Sequence, residues 1–133
     1  MDFSFKLPER SPDDREYTGG CHCKRFRYRF HWRPFHDGTH EISACNCSVC
    51  SMKGMAFTHM HTDAFALTAG TREELTEYRF GRRVFARFFC PTCGVEIFET
   101  KEDEDMLGVN VRTVDGVDME KLRIKPFDGA TLW

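Results

Sequence analysis

Seven cysteines gathered in three tight clusters constrain this chain of 133 residues more than any other feature. They stand in Cys21-His22-Cys23, in Cys45-Asn46-Cys47-Ser48-Val49-Cys50 and in Cys90-Pro91-Thr92-Cys93-Gly94. An odd number cannot pair off completely as disulfides within one chain. Residues 1–14 lack the apolar centre of an export signal, so a reducing, cytoplasmic setting is expected. Clustered thiols in such a setting are metal ligands or reactive groups.

The spacings suggest how the sulfurs divide. A C-x-x-C followed by glycine makes a tight turn that aims two sulfurs at one ion, and a four-sulfur zinc site needs two more. Cys21 and Cys23 suit that role, because residues i and i+2 of an extended segment point to the same side. Cys21, Cys23, Cys90 and Cys93 are therefore the expected structural zinc site. Cys45, Cys47 and Cys50 lie within six residues and can converge on a second ion unaided. Three protein ligands with an open fourth position mark a reactive zinc site, whereas completion by His59 or His61 would close it. Spacing also leaves open a trio that holds no metal, or one that shares ligands with Cys90 and Cys93. Three thiolates make zinc a poor activator of water, and a soft sulfur-rich site suits a fourth, substrate thiol.

The rest of the chain reads as mainly β. Phe26, Tyr28, Phe30 and Trp32 alternate with Arg25, Arg27, Arg29 and His31, the period of a half-buried strand over 24–32. Further short strands are expected at 41–45, 55–61, 66–68, 75–80, 83–89, 95–99, 107–111 and 122–126, with turn residues between several of them. Only two helical turns are expected, near 47–53 and 118–122. Residues 1–16 read as an N-terminal arm and 17–133 as one domain. With 19 basic against 21 acidic residues the formal net charge is -2. A chain without a basic excess is not expected to bind nucleic acid. Two zinc ions bound by seven thiolates would move the charge further in the acidic direction. No apolar run reaches the length of about 18 residues that a membrane-spanning helix needs.

The order and spacing G-x-C-x-C, C-x-C-x-x-C and F-C-x-x-C-G resembles the glutathione-dependent formaldehyde-activating enzyme family, which includes the centromere-protein-V-like proteins. The resemblance extends through Asp63-Ala64-Phe65-Ala66-Leu67-Thr68-Ala69-Gly70, Asn110-Val111-Arg112-Thr113-Val114-Asp115 and Ile124-Lys125-Pro126-Phe127-Asp128-Gly129, covering about residues 17–130. It implies an Mss4-like, zinc-stabilised β-sandwich of short antiparallel strands. Cys21, Cys23, Cys90 and Cys93 carry over as the structural site, and Cys45, Cys47 and Cys50 as a second, exchangeable one. The implied reaction adds glutathione, as co-substrate, to formaldehyde, giving S-(hydroxymethyl)glutathione, a carbon–sulfur lyase activity. The expected partners are thus a small thiol and a small aldehyde. Lys53, Arg82 and Arg83 are candidates for the glutathione carboxylates, and no general base is identifiable. The competing expectations are a non-catalytic zinc-stabilised binding module and a zinc- or redox-sensing protein.

Overall fold

The computed structural model describes Leu7, residues 9–101 and residues 103–131. Residues 1–6 and Pro8 of the expected arm lie outside the described residues. Ten strands dominate: β1 (Arg15–Gly20), β2 (Arg27–Trp32), β3 (Glu41–Cys45), β4 (Phe57–Met60), β5 (Phe65–Ala69), β6 (Thr76–Tyr78), β7 (Ala86–Phe89), β8 (Glu96–Lys101), β9 (Met106–Asn110) and β10 (Arg123–Phe127). The one α-helix among the described residues, α1 (Ser48–Lys53), stops where Gly54 takes a left-handed φ of 65°. That conformation is inexpensive only without a Cβ. The expected second turn is a short 3₁₀ segment, Met119–Lys121. The mainly β class read from the sequence therefore holds.

The strands form a small sheet ordered β1-β2-β5 and a large sheet ordered β10-β3-β4-β9-β8-β7-β6. Pairing is antiparallel except between β10 and β3, which run parallel over Arg123–Phe127 against Glu41–Cys45. This one pair departs from the antiparallel pairing expected of the strands. The long chain between β3 and β10 leaves room for the return crossover that a parallel pair requires. β1 is the other addition: Arg15 and Glu16, read as arm, pair with Trp32 and His31 of β2. The segment REYTGG is polar and carries no apolar alternation, so its strand comes from backbone pairing to β2 rather than from its own pattern.

The predicted alternation in β2 is realised. Phe26, Tyr28, Phe30 and Trp32 are all buried, while Arg25, Arg29 and His31 are exposed. Burying each such ring contributes about 1.5–3 kcal/mol. They meet the inner face of the large sheet, where Phe98 stacks on Phe88 and faces Phe65 of the small sheet at a centroid distance of 4.9 Å. Thr58, Val109, Phe98 and Phe88 are aligned across four strands on that inner face.

Because side chains alternate along each strand, the next residues define the opposite face. There the register aligns His59 with Gly108, Gly108 with Glu99, and Glu99 with Arg87. This outer face is covered by α1 and a second, smaller apolar cluster of Cys47, Cys50, Met55 and Phe57, with Cys45, Val49 and Phe80 packed around it. β8 is consequently buried on both faces, charged residues included.

Candidate metal centres

The first cluster joins the two sheets. Cys21 and Cys23 follow β1, and Cys90 and Cys93 sit in the turn between β7 and β8. Their four sulfurs lie within 4.8 Å of one another. Cys21 Sγ is 3.6 Å from Cys23 Sγ, which is 3.7 Å from Cys90 Sγ. Tetrahedral zinc with Zn–S bonds of about 2.3 Å separates its sulfurs by about 3.8 Å, so the donor set fits such an ion. Backbone N–H groups support the sulfurs: Phe26 donates to Cys21 Sγ at 3.4 Å, and Thr92 donates to Cys90 Sγ at 3.3 Å. Burial opposes ionisation of Cys90, yet the Cys93 and Thr92 N–H groups bring its thiol down to about 6. The ordinary value is 9.0. The loop thus favours the thiolate form that a metal takes.

The second cluster is carried by the end of β3 and by α1. Cys45 closes the strand, Cys47 precedes the helix and Cys50 sits on its buried side. These three sulfurs also lie within 4.8 Å of one another. Among the described residues no histidine or carboxylate joins either group within that radius. His59 and His61, expected as possible closing ligands, are engaged elsewhere: His59 with Glu99, and His61 with Asp105. The spacing alternative that mixes Cys90 and Cys93 with the trio is likewise not what the fold assembles. Cys45 is lowered to about 6 by the Cys50 thiol, helped by the Cys47 N–H and opposed by burial. Cys50 is pushed up, first by its hydrogen bond to Cys45 and then by burial.

Cys45 and Cys50 open onto a cavity of about 460 Å³. That is within the range of small-molecule sites. Trp32, Phe57 and Phe85 give it apolar walls, and Arg33, His40 and Lys125 line it with cationic or basic groups. Its floor holds Arg87, whose side chain is 1% exposed. Arg87 Nη1 lies 3.1 Å from Glu99 Oε2 and 3.6 Å from Glu96 Oε2, and Nη2 donates to Cys47 Sγ at 3.9 Å. Lys53 Nζ pairs with Glu96 Oε1 at 3.2 Å, and His59 Nε2 bonds Glu99 Oε1 at 3.2 Å. A chain of alternating charge, Lys53–Glu96–Arg87–Glu99, thus runs under the trio and ends on the imidazole of His59.

The three cations named from the sequence fall differently. Lys53 lines a neighbouring cavity, beside Glu96 and Arg112. Arg82 and Arg83 lie in the turn between β6 and β7, outside the lining of the cavity at Cys45. Sequence reasoning missed Arg87, Glu96 and Glu99. Their signal was a charge interrupting an apolar strand run, in A-R-F-F-C and V-E-I-F-E-T, where burial requires a partner.

A mainly β scaffold carrying one four-sulfur and one three-sulfur group, each fit to hold a metal ion, is the class that fold and geometry define. The model of the family described as glutathione-dependent formaldehyde-activating enzyme matches residues 16–128. The chain belongs to that family. It is also similar to a Rhodobacter sphaeroides protein of known crystal structure, with 28% sequence identity and a TM-score of 0.68. That match covers 82% of this chain and 97% of the other. No curated protein matches the sequence. No helix among the described residues is long and apolar enough to cross a membrane.

Proposed function

We propose that this protein binds a small thiol such as glutathione at the Cys45–Cys47–Cys50 group and promotes its addition to formaldehyde or a similar small aldehyde. It would act as a zinc-dependent carbon–sulfur lyase running in the synthetic direction, on an Mss4-like scaffold held together by a structural zinc at Cys21, Cys23, Cys90 and Cys93. The observation that carries this reading is a trio of sulfurs, joined by no fourth ligand among the described residues, facing a cavity of about 460 Å³. Family membership adds the thiol and the aldehyde. The proposal includes a reducing, cytoplasmic setting, since disulfide formation within the trio would remove the site.

A zinc ion at the trio supplies an open position for a soft sulfur donor and favours the deprotonated form of that thiol. The protein's own residues then do three things. Arg87, in contact with Cys47 Sγ, sets a positive charge against the excess negative charge of three thiolates. Trp32, Phe57 and Phe85 keep the cavity walls apolar and limit water. Arg33 and Lys125 offer cations to the carboxylates of glutathione.

Native mass spectrometry with and without glutathione tests the proposal. The parent should carry two zinc ions and take up one glutathione. Cys47→Ser should lose the second ion and glutathione uptake, with a melting temperature within about 5 °C of the parent, because the structural site is intact. A Cys47→Ser protein that binds glutathione as the parent does would end the proposal.

A further inference from the structure

The addition of a thiol to an aldehyde relocates one proton. The S–H bond breaks, the C–S bond forms as the C=O π pair moves onto oxygen, and oxygen finishes as a hydroxyl. A group in the cavity that held that proton between the two atoms would spare its exchange with water. We propose that His59 is this group: it accepts the proton of the incoming thiol and returns it to the aldehyde oxygen, with Glu99 and Gly108 as its positioning residues. The inference rests on the functional reading above and extends it to a residue that the cysteine pattern does not reveal.

His59 lines the same cavity as Cys45 and Cys50. It stands two residues beyond Phe57, which packs with Cys47 and Cys50, and on the same face of β4. Alternate residues of a strand are about 6.6–6.8 Å apart, so along β4 the backbone of His59 stands one pleat beyond the residue that packs on the trio. A zinc ligand would instead have to come within about 2.1 Å of the ion.

The ring is held by a specific device. His59 and Glu99 belong to strands separated by β9, so their backbones are about 10 Å apart. Their side chains bond at 3.2 Å because the residue between them in the register is Gly108. A Cβ on Gly108 would fall 2.8 Å from His59 Cδ2, closer than such atoms approach, and 3.0 Å from Nε2, which is tight. The ring therefore occupies space that a side chain at position 108 would take. Behind it Glu99 is buried and paired with Arg87. The proposal assigns the hydrogen to Nε2, as donor to Glu99, and the accepting lone pair to Nδ1. Once Nδ1 takes a proton, Glu99 stabilises the imidazolium, and Arg87 keeps Glu99 in place. The other imidazole of this cavity, His40, has no carboxylate partner among the described residues.

The test compares the metal-loaded parent with His59→Gln, Gly108→Ala and His40→Gln. Glutathione binding is followed by calorimetry in two buffers of different ionisation enthalpy, which counts protons released. Adduct formation is followed by magnetic-resonance exchange with formaldehyde. The parent should bind glutathione with almost no proton released to buffer, and His59→Gln should release about one per site. The catalysed exchange rate of His59→Gln should fall about 100-fold, within the range for acid–base groups, with KM changed less than about twofold. Gly108→Ala should shift both readings the same way, and His40→Gln neither. Native mass must show both ions in every variant. Loss of the second ion from His59→Gln would make His59 a ligand and overturn the inference. So would a parent that binds glutathione but releases its proton to buffer, or a proton count that moves with His40, although the thiol site would stand in both cases. A parent that takes up no glutathione overturns the functional reading and the inference together.

Discussion

Cys90→Ser is expected to leave the domain unfolded at 37 °C. Cys90 follows β7, is fully buried, and its sulfur receives N–H bonds from Thr92 and Cys93 at 3.3 and 3.5 Å. It lies beside Cys23, which reaches it from the loop after β1. The four-sulfur group is thus a joint between the small sheet and the large one, spanning 67 residues of sequence between Cys23 and Cys90. Structural zinc contributes an apparent 10–16 kcal/mol, about as much as the whole stability of an ordinary domain. Replacing one sulfur by a hydroxyl weakens the ion's hold and leaves three thiols clustered without it. Near-ultraviolet circular dichroism and native mass should show lost tertiary structure and a missing ion. A Cys90→Ser protein that melts within about 2 °C of the parent would show that this group is not what holds the sheets together. The contrast with Cys47→Ser, expected to fold, separates the two sulfur groups by experiment.

Arg87→Met should cost about 3–5 kcal/mol, the penalty for removing one partner of a buried ion pair. Methionine fills similar volume, so the loss is one of charge rather than of packing. Glu99, with a side chain 5% exposed, and Glu96, 1% exposed, would face each other across the lost guanidinium. Lys53 compensates Glu96 only in part, from a position 34% exposed. The effect has a pH dependence whose sign follows from Glu96. Burial raises its pKa above the ordinary 4.5, against the lowering pull of Arg87 and Lys53. A raised value means the native state binds the proton more tightly than the unfolded chain. The contribution is therefore fully present below about 4.5 and is lost as pH rises through the native value. Without Arg87 that native value moves further up. Urea unfolding should show the parent and Arg87→Met closer in stability at pH 5 than at pH 8. Equal or wider separation at pH 5 would contradict the ion-pair account. Glu99→Gln in the Arg87→Met background should recover part of the loss by removing one of the stranded charges.

The core strand was legible because its message is local. Phe26, Tyr28, Phe30 and Trp32 repeat at the strand period, and the structure buries all four. The turn at Cys47–Cys50 was legible for the same reason: three cysteines within six residues meet whatever the rest of the chain does. The grouping of Cys21 and Cys23 with Cys90 and Cys93 was foreseen from C-x-C and C-x-x-C spacing, and the fold brings those four together. β1 was not legible, since its six residues acquire strand form from the backbone of β2. Nor was the direction of β10, because a strand's sequence does not state which way its neighbour runs.

His59, Arg87, Glu99 and Gly108 mark the boundary most clearly. His59 stood out in its own segment only as a possible metal ligand, and Arg87, Glu99 and Gly108 were not singled out in theirs. They become one unit only through register, which places them in a row across β4, β9, β8 and β7. Sequence by itself determined the three cysteine clusters, since each rests on residue type and on short spacings that the chain enforces, and the fold then joined the first cluster to the third. Tertiary structure alone decided what surrounds them, because a cross-strand neighbour is set by which strands pair and at what offset. A shift of one residue in that pairing would turn every one of these side chains to the other face.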